Sequence, residues 1–280
     1  MEIFTLWLWP LLALILLPAL LVYFGLHVVE RGIIFVDLAL AQIAALGICV
    51  AIALGAHPGH DALPYVLSVV FTLLGAALFA WTRFNHPRVP QESIIGIIYV
   101  VAAAAATLVL SHSAEGDEAL KTLLVGNVLL VTKAEVLRTF GLFVVIGTVH
   151  ALLRKRFLLV TFHEERARAG GVALRLWDFL FYATFGLTVV SFVQIIGVYL
   201  VFSYLIVPAV CGALLSARIR TRLLIGWVVA LVAGVSGLLL SVKLEALDLP
   251  TGPTIVCCFG ALLIACAILM RLRARRGAPA

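Results

Sequence analysis

Apolar residues run in long blocks along this chain, and polar residues are confined to the intervals between them. Crossing the hydrocarbon of a bilayer as an α-helix takes about 20 predominantly apolar residues. Nine blocks come near that length: Phe4–Leu26, Ile33–Ala56, Pro64–Trp81, Ser93–Leu110, Val136–Leu153, Phe179–Val193, Gln194–Ser216, Leu223–Val242 and Pro253–Met270. The sixth and seventh are nearly continuous, and the turn dividing them falls around Ser191–Gly197. The pattern predicts an all-α integral membrane protein with about nine transmembrane helices (eight to ten), built as one transmembrane domain over residues 1–280. Between the fifth and sixth blocks lies a long charged segment, Arg154 to Asp178. Lipid excludes most charges, so this segment is expected in water. Within it FHEERARAGG carries helix formers closed by a glycine pair, which predicts a short amphipathic helix ending at Gly170 or Gly171. A surface helix between two membrane halves reads as a docking handle.

Composition agrees with this reading. The chain is 64% hydrophobic and only 12% charged, where soluble domains carry about 25%. The net charge of +6 belongs to orientation in the bilayer and not to nucleic acid, because the basic residues flank apolar runs without an aromatic-basic platform. Arg31, Arg83, Arg88, Arg154 through Arg175, Arg218, Arg220, Arg222 and Arg271 through the 271–280 tail alternate onto one side. Lys121, Lys133, Arg138 and Lys243 take the other. The positive-inside rule then places the C-terminus and the charged segment in the cytoplasm and the N-terminus outside. MEIFTLWLWP lacks a basic n-region and a small-residue cleavage site, so it reads as a first span rather than a signal peptide. The five cysteines (Cys49, Cys211, Cys257, Cys258 and Cys266) lie inside apolar runs and read as small core hydrophobes.

Few residues carry chemistry. Asp37 stands in an apolar span, where a carboxylate costs about 2.5–3.5 kcal/mol to insert. It either pairs locally with Arg31 or reaches the interface, or it faces the bundle interior on a transport path. Gln42 lies nearer mid-span, about 140° around the helix from Asp37, as a packing residue or a second path residue. Ala41, Ala44, Ala45 and Gly47 give that helix a small-residue surface suited to close packing. His57, His60 and Asp61 form H-P-G-H-D in an outside loop, either a transition-metal entry point or a solvated turn. His112, Glu115, Asp117 and Glu118 pose the same choice in the next outside loop, whose apolar piece Leu123–Val131 is too short to span. His163–Glu164–Glu165 starts like a zinc-protease helix but lacks the second histidine, and the chain contains no GxxxxGK[ST] phosphate loop. Hydrolysis of ATP is therefore not expected on this chain.

Taken in order, HVVERGIIFVDLALAQIAALG, EGDEALKTLLVGNVLLVT, FHEERARAGG, QIIGVYLVFSYLIVPAVCGALL and LDLPTGPTIV resemble the permease of zinc/manganese-type ABC importers over most of the chain. The resemblance implies an all-helical permease in the bacterial inner membrane, working as a dimer, most simply with a second copy of itself. It also implies cytoplasmic ATPase subunits and an extracytoplasmic metal-binding protein as partners, with no permanently bound cofactor and Zn2+ or Mn2+ as cargo, zinc first. The coupling pattern Glu-x-Ala-x-x-x-Gly falls on Glu165, Ala167 and Gly171, beside Glu164 and Gly170. Many relatives carry Gly-Asp-Ala-x-x-His early in the second span. Here Gln42 holds the His position, Leu38 the Asp position, and Asp37 is displaced by one residue. The expected metal route runs past Asp248 and the outer loops toward Gln42 and Asp37. The alternatives are a permease for a chelated metal such as a siderophore or cobalamin, or a secondary transporter without ATPase partners.

Overall fold

The computed structural model describes residues 2–56, 61–83, 89–111, 126, 131–243 and 249–275, without the side chains of 2–8, 17 and 273–275. Among the described residues every regular element is a helix. In order they are α1 (Glu2–Arg31), α2 (Val36–Ala53), α3 (Leu63–Trp81), α4 (Gln91–Leu110), α5 (Lys133–Leu152), α6 (Arg154–Phe162), α7 (Glu164–Ala169), α8 (Leu174–Ile196), α9 (Val198–Leu215), α10 (Ile219–Lys243) and α11 (Thr251–Arg275). All but α6 and α7 are long and apolar enough to cross a membrane, nine candidate spans among the described residues. The expected count therefore holds, while several boundaries move.

Each moved boundary has a local cause. The first helix runs on through His27–Arg31 and stops where Gly32 adopts a left-handed φ of 65°. The fifth starts at Lys133, three residues before its apolar run, because Thr132 and Glu135 form a reciprocal capping box. The Glu135 carboxylate takes the Thr132 amide at 2.8 Å, and the Thr132 hydroxyl takes the Glu135 amide at 3.3 Å. The charged segment holds more than the one short helix expected in it. Its first part is α6, which buries Phe157 and Val160, and its end already belongs to α8. The dividing turn between the sixth and seventh spans is one residue, Gly197 at φ 79°.

The chain divides into two compact units. One comprises residues 1–29, 124–141 and 195–280. Here α1, α9, α10 and α11 approach at small residues. A Cβ on Gly25 would fall 2.0 Å from the Leu205 carbonyl oxygen, and one on Gly237 2.6 Å from the Ile255 Cα. Without a hydrophobic force between helices in lipid, such close backbone packing is what holds them. Tyr204 fills the centre edge-on to Phe259, ring centroids 4.8 Å apart. The other unit comprises residues 30–123 and 142–194 and holds α2–α4, α6, α7 and the bulk of α8. The small-residue face of α2 is buried as expected, with Gly47 against the Leu67 backbone.

The cysteines correct the expectation of a uniform core role. All five are free thiols; Cys49 and Cys211 are buried, but Cys257 is exposed and Cys258 and Cys266 half-buried on α11. That helix is the least enclosed span, with exposed Ile264, Ile268 and Leu272. In a membrane protein an apolar run is not evidence of a protein core, because lipid accepts the same residues.

Candidate functional site

The second unit carries two polar constellations. The larger gathers the end of α1, the second residue after α3, α7 and the start of α8. Asp178, one turn into α8, is fully buried. Its Oδ1 accepts from Arg31 at 2.9 Å, and its Oδ2 is paired with Arg83. Arg31 also donates from Nε to Thr161 of α6 at 3.0 Å and lies 4.1 Å over the Phe181 ring. Arg83 reaches outward as well, its second nitrogen 2.6 Å from the Glu164 carboxylate. Glu164 in turn holds Arg168 one turn along α7, at 2.9 Å. The result is a continuous ionic chain, Arg31–Asp178–Arg83–Glu164–Arg168.

The electrostatics follow from this order. Burial works against charge on Arg83, but Asp178 first and Glu164 second outweigh it and hold its pKa above the ordinary value. Burial likewise opposes the Glu164 carboxylate, but Arg83 and Arg168 prevail and hold it below the usual range. Beside the chain, Gln91 at the start of α4 donates both to the Phe79 carbonyl at 3.1 Å and to the Tyr182 hydroxyl at 3.2 Å. The ends of α3, α4 and α8 are thereby fixed to one another.

The predicted docking residues fall on α7. Its end is a full Schellman arrangement: the Val172 amide bonds the Ala167 carbonyl at 3.0 Å and the Gly171 amide the Arg168 carbonyl at 3.1 Å. Gly171 supplies the left-handed residue this requires, φ 69°. Ala167 is fully buried, while Glu165, Arg166, Arg168 and Gly170 are exposed. The helix is thus held on one side and open on the other.

The second constellation is on α2. Asp37 is 2% exposed and Gln42 8%. Arg31 is committed to Asp178 and Thr161 rather than to Asp37, so the local-pairing alternative is not realised. The Asp37 Oδ1 has no hydrogen-bond partner among the described residues. Nearby, Glu92 of α4 accepts the Phe35 amide at 2.9 Å and leaves its other oxygen likewise unpartnered. Glu92 was absent from the sequence-derived candidates; an acidic residue opening an apolar span was the signal that could have found it. Of the outer-loop candidates, His57, His60 and Asp248 lie outside the described residues, as do His112, Glu115, Asp117, Glu118 and most of the Leu123–Val131 piece. Asp61 is exposed. Among the described residues no three His, Cys, Asp or Glu side chains converge as a metal site.

Residues 4–270 match the model of the ABC 3 transport family. The chain belongs to that family. It is a multi-pass permease subunit of an ABC transporter in the bacterial cytoplasmic membrane. One relative is the manganese transport system membrane protein MntC of Halalkalibacterium halodurans, 25% identical over 232 residues, covering 83% of this chain and 76% of that protein. Another is the chelated iron transport system membrane protein YfeD of Yersinia pestis, 27% identical over 194 residues, covering 69% of this chain and 64% of that protein. Among solved structures, PsaBC from Streptococcus pneumoniae in complex with Fab shares the permease fold. Its TM-score is 0.74 at 20% identity, over 92% of this chain and 89% of that one.

Proposed function

We propose that this permease imports a divalent transition-metal ion, manganese ahead of zinc. It works as one of two copies, driven by ATPase subunits docked on α7 and supplied by an extracytoplasmic metal-binding protein. The observation that carries the metal preference is the donor set of α2. Asp37 and Gln42 are both buried there and both offer oxygen, where many similar permeases offer an imidazole. Oxygen donors suit manganese; imidazole and thiolate suit zinc. Manganese thus moves ahead of zinc, against the order expected from the sequence, and the name of the MntC relative, a manganese transport protein, supports the change. The basic ends of the spans, with α6 and α7, face the cytoplasm, where ATP is available.

A chelated metal is the second reading. YfeD is named for chelated iron, and a wide path needs no converging ligands, in keeping with their absence among the described residues. Uptake of radioactive manganese and zinc into proteoliposomes holding the permease, its ATPase and its binding protein separates the readings. Wild type is expected to prefer manganese, Asp37→Asn to lose uptake of both ions, and Gln42→His to move the preference toward zinc by about ten-fold, or 1.4 kcal/mol. Unchanged uptake and unchanged selectivity in both variants would remove α2 from the path. Uptake of neither free ion, with ATP hydrolysis still stimulated by the binding protein, would favour the chelate.

A further inference from the structure

We propose that Arg83 is the positioning residue through which movement of α7 reaches the spans, by holding Glu164 and Asp178 with one guanidinium. The inference rests on the reading that α7 docks the ATPase, and it adds the route by which docking is felt inside the chain. Three observations carry it. First, Arg83 stands two residues beyond the end of α3 and is ion-paired both to α7, through Glu164, and to α8, through Asp178. Asp178 then passes the connection to Arg31 at the end of α1, so one side chain joins the docking helix to the ends of three spans. Second, exposure falls inward from α7, from 41% for the Glu164 side chain through 16% for Arg83 to none for Asp178, with Arg31 beyond it at 7%. One end sits at the surface that receives a partner and the other in the core. Third, Asp178 already has Arg31 on Oδ1, so the outward fork of Arg83 to Glu164 adds little to fold stability; an exposed pair contributes about 1 kcal/mol at most.

Arginine suits this task. Its planar guanidinium presents five donors in a rigid fork, so two carboxylates bound to it keep a fixed geometry relative to each other. Two independent cation contacts would let α7 move without the spans.

The test uses the complete complex of permease, ATPase and binding protein in nanodiscs. It measures retained ATPase by co-purification, and the factor by which the binding protein stimulates ATP hydrolysis. That factor reports a signal crossing the permease whatever the cargo. In Arg83→Gln the ATPase is expected to co-purify while stimulation falls by about five-fold or more, the lower end of ordinary coupling between two sites. Glu164→Gln, partly exposed and so without folding risk, is expected to lower stimulation comparably. The double variant should be no worse than either single one, because both interrupt one connection. Arg83→Lys, which keeps the charge without the fork, should recover only part. Full stimulation in both single variants, or losses that simply add, would overturn the proposal. So would loss of ATPase binding in Arg83→Gln with normal stimulation per retained ATPase, since that pattern belongs to a purely structural residue. If the wild-type permease retains no ATPase, the docking reading itself falls, a separate and visible result.

Discussion

Replacing Asp178 with asparagine should be among the most damaging conservative changes in the protein. Two guanidiniums meet on this carboxylate, which has no exposure, and their own side chains are only 7% and 16% exposed. Removing one partner of a buried ion pair costs about 3–5 kcal/mol, because the remaining charge stays buried without compensation. Asparagine keeps the shape and one acceptor, yet leaves Arg31 and Arg83 facing each other across a neutral group. Among the described residues Arg31 is ion-paired to Asp178 alone, and one of its terminal nitrogens already lacks a partner. About 4 kcal/mol is therefore expected, a thousand-fold shift in the folding equilibrium. At roughly 2–4 °C per kcal/mol that is a fall in melting temperature on the order of 10 °C. The assay is thermal unfolding in detergent, followed by a thiol-reactive dye on Cys49 and Cys211, which are buried in the folded protein, in a background with Cys257, Cys258 and Cys266 replaced by alanine. A companion variant, Arg31→Met with Arg83→Met and Asp178→Leu, removes every charge of the buried set. It should recover most of the loss, since apolar replacement of a whole buried ionic group is often neutral. A melting temperature within about 2 °C of wild type for Asp178→Asn would refute the reasoning. So would a companion variant no better than the single substitution.

Two further outcomes follow from the same unit. A Cβ on Gly47 would lie 2.6 Å from the Leu67 carbonyl oxygen and 2.8 Å from its carbonyl carbon, both backbone atoms. Gly47→Val should thus cost about 1–3 kcal/mol as overpacking, whereas Gly96→Ala, with nothing within 4 Å, should cost none; equal melting temperatures for the two would discount the close approach of α2 and α3. The Glu164 carboxylate, held below its ordinary value of 4.5 by Arg83 and Arg168 against the effect of burial, contributes stability above that value and loses it as pH falls through the lower folded pKa. The melting difference between wild type and Glu164→Gln should be small at neutral pH, under about 1 kcal/mol for so exposed a pair, and vanish on acidification; a difference that grows in acid would reverse the assigned sign.

The membrane class and the number of spans were legible because an apolar run of about 20 residues matches the thickness of a bilayer and little else. The end of α7 was legible too, since Gly170 and Gly171 mark a helix stop by their own backbone chemistry. What stayed hidden depended on distance along the chain. Hydropathy cuts the sixth span short at Arg175 and Asp178 because it sees charge without its partner. Asp178 belongs in the helix because it is neutralised by Arg31 and Arg83, 147 and 95 residues away. The start of α5 lay in the sequence as Thr-Lys-Ala-Glu, a capping box, but a boundary drawn from apolar residues alone passes over it. The local pairing of Arg31 with Asp37 looked natural at six residues' separation and failed because Asp178 offered Arg31 a better-enclosed partner.

Asp37 and Asp178 make the most informative contrast in the molecule. They are buried to nearly the same degree, 2% and 0% exposed, and both sit near the start of a span. Asp178 has permanent counter-ions from the end of α1 and from just beyond α3, and its role is accordingly fixed. Asp37 has none among the described residues, and one of its oxygens is without any partner. Taking a carboxylate out of water without a cation is among the most costly arrangements a protein can hold. In a folded soluble core the economical remedy would be an apolar side chain. In a subunit that belongs to a transporter family, a cation that arrives and leaves can supply the missing charge, and a permanent partner would compete with it. Arg31, although six residues from Asp37, is drawn away to Asp178, and this leaves the carboxylate open. Under the proposed function, an arginine fixed beside Asp37 would occupy the place of a passing divalent ion.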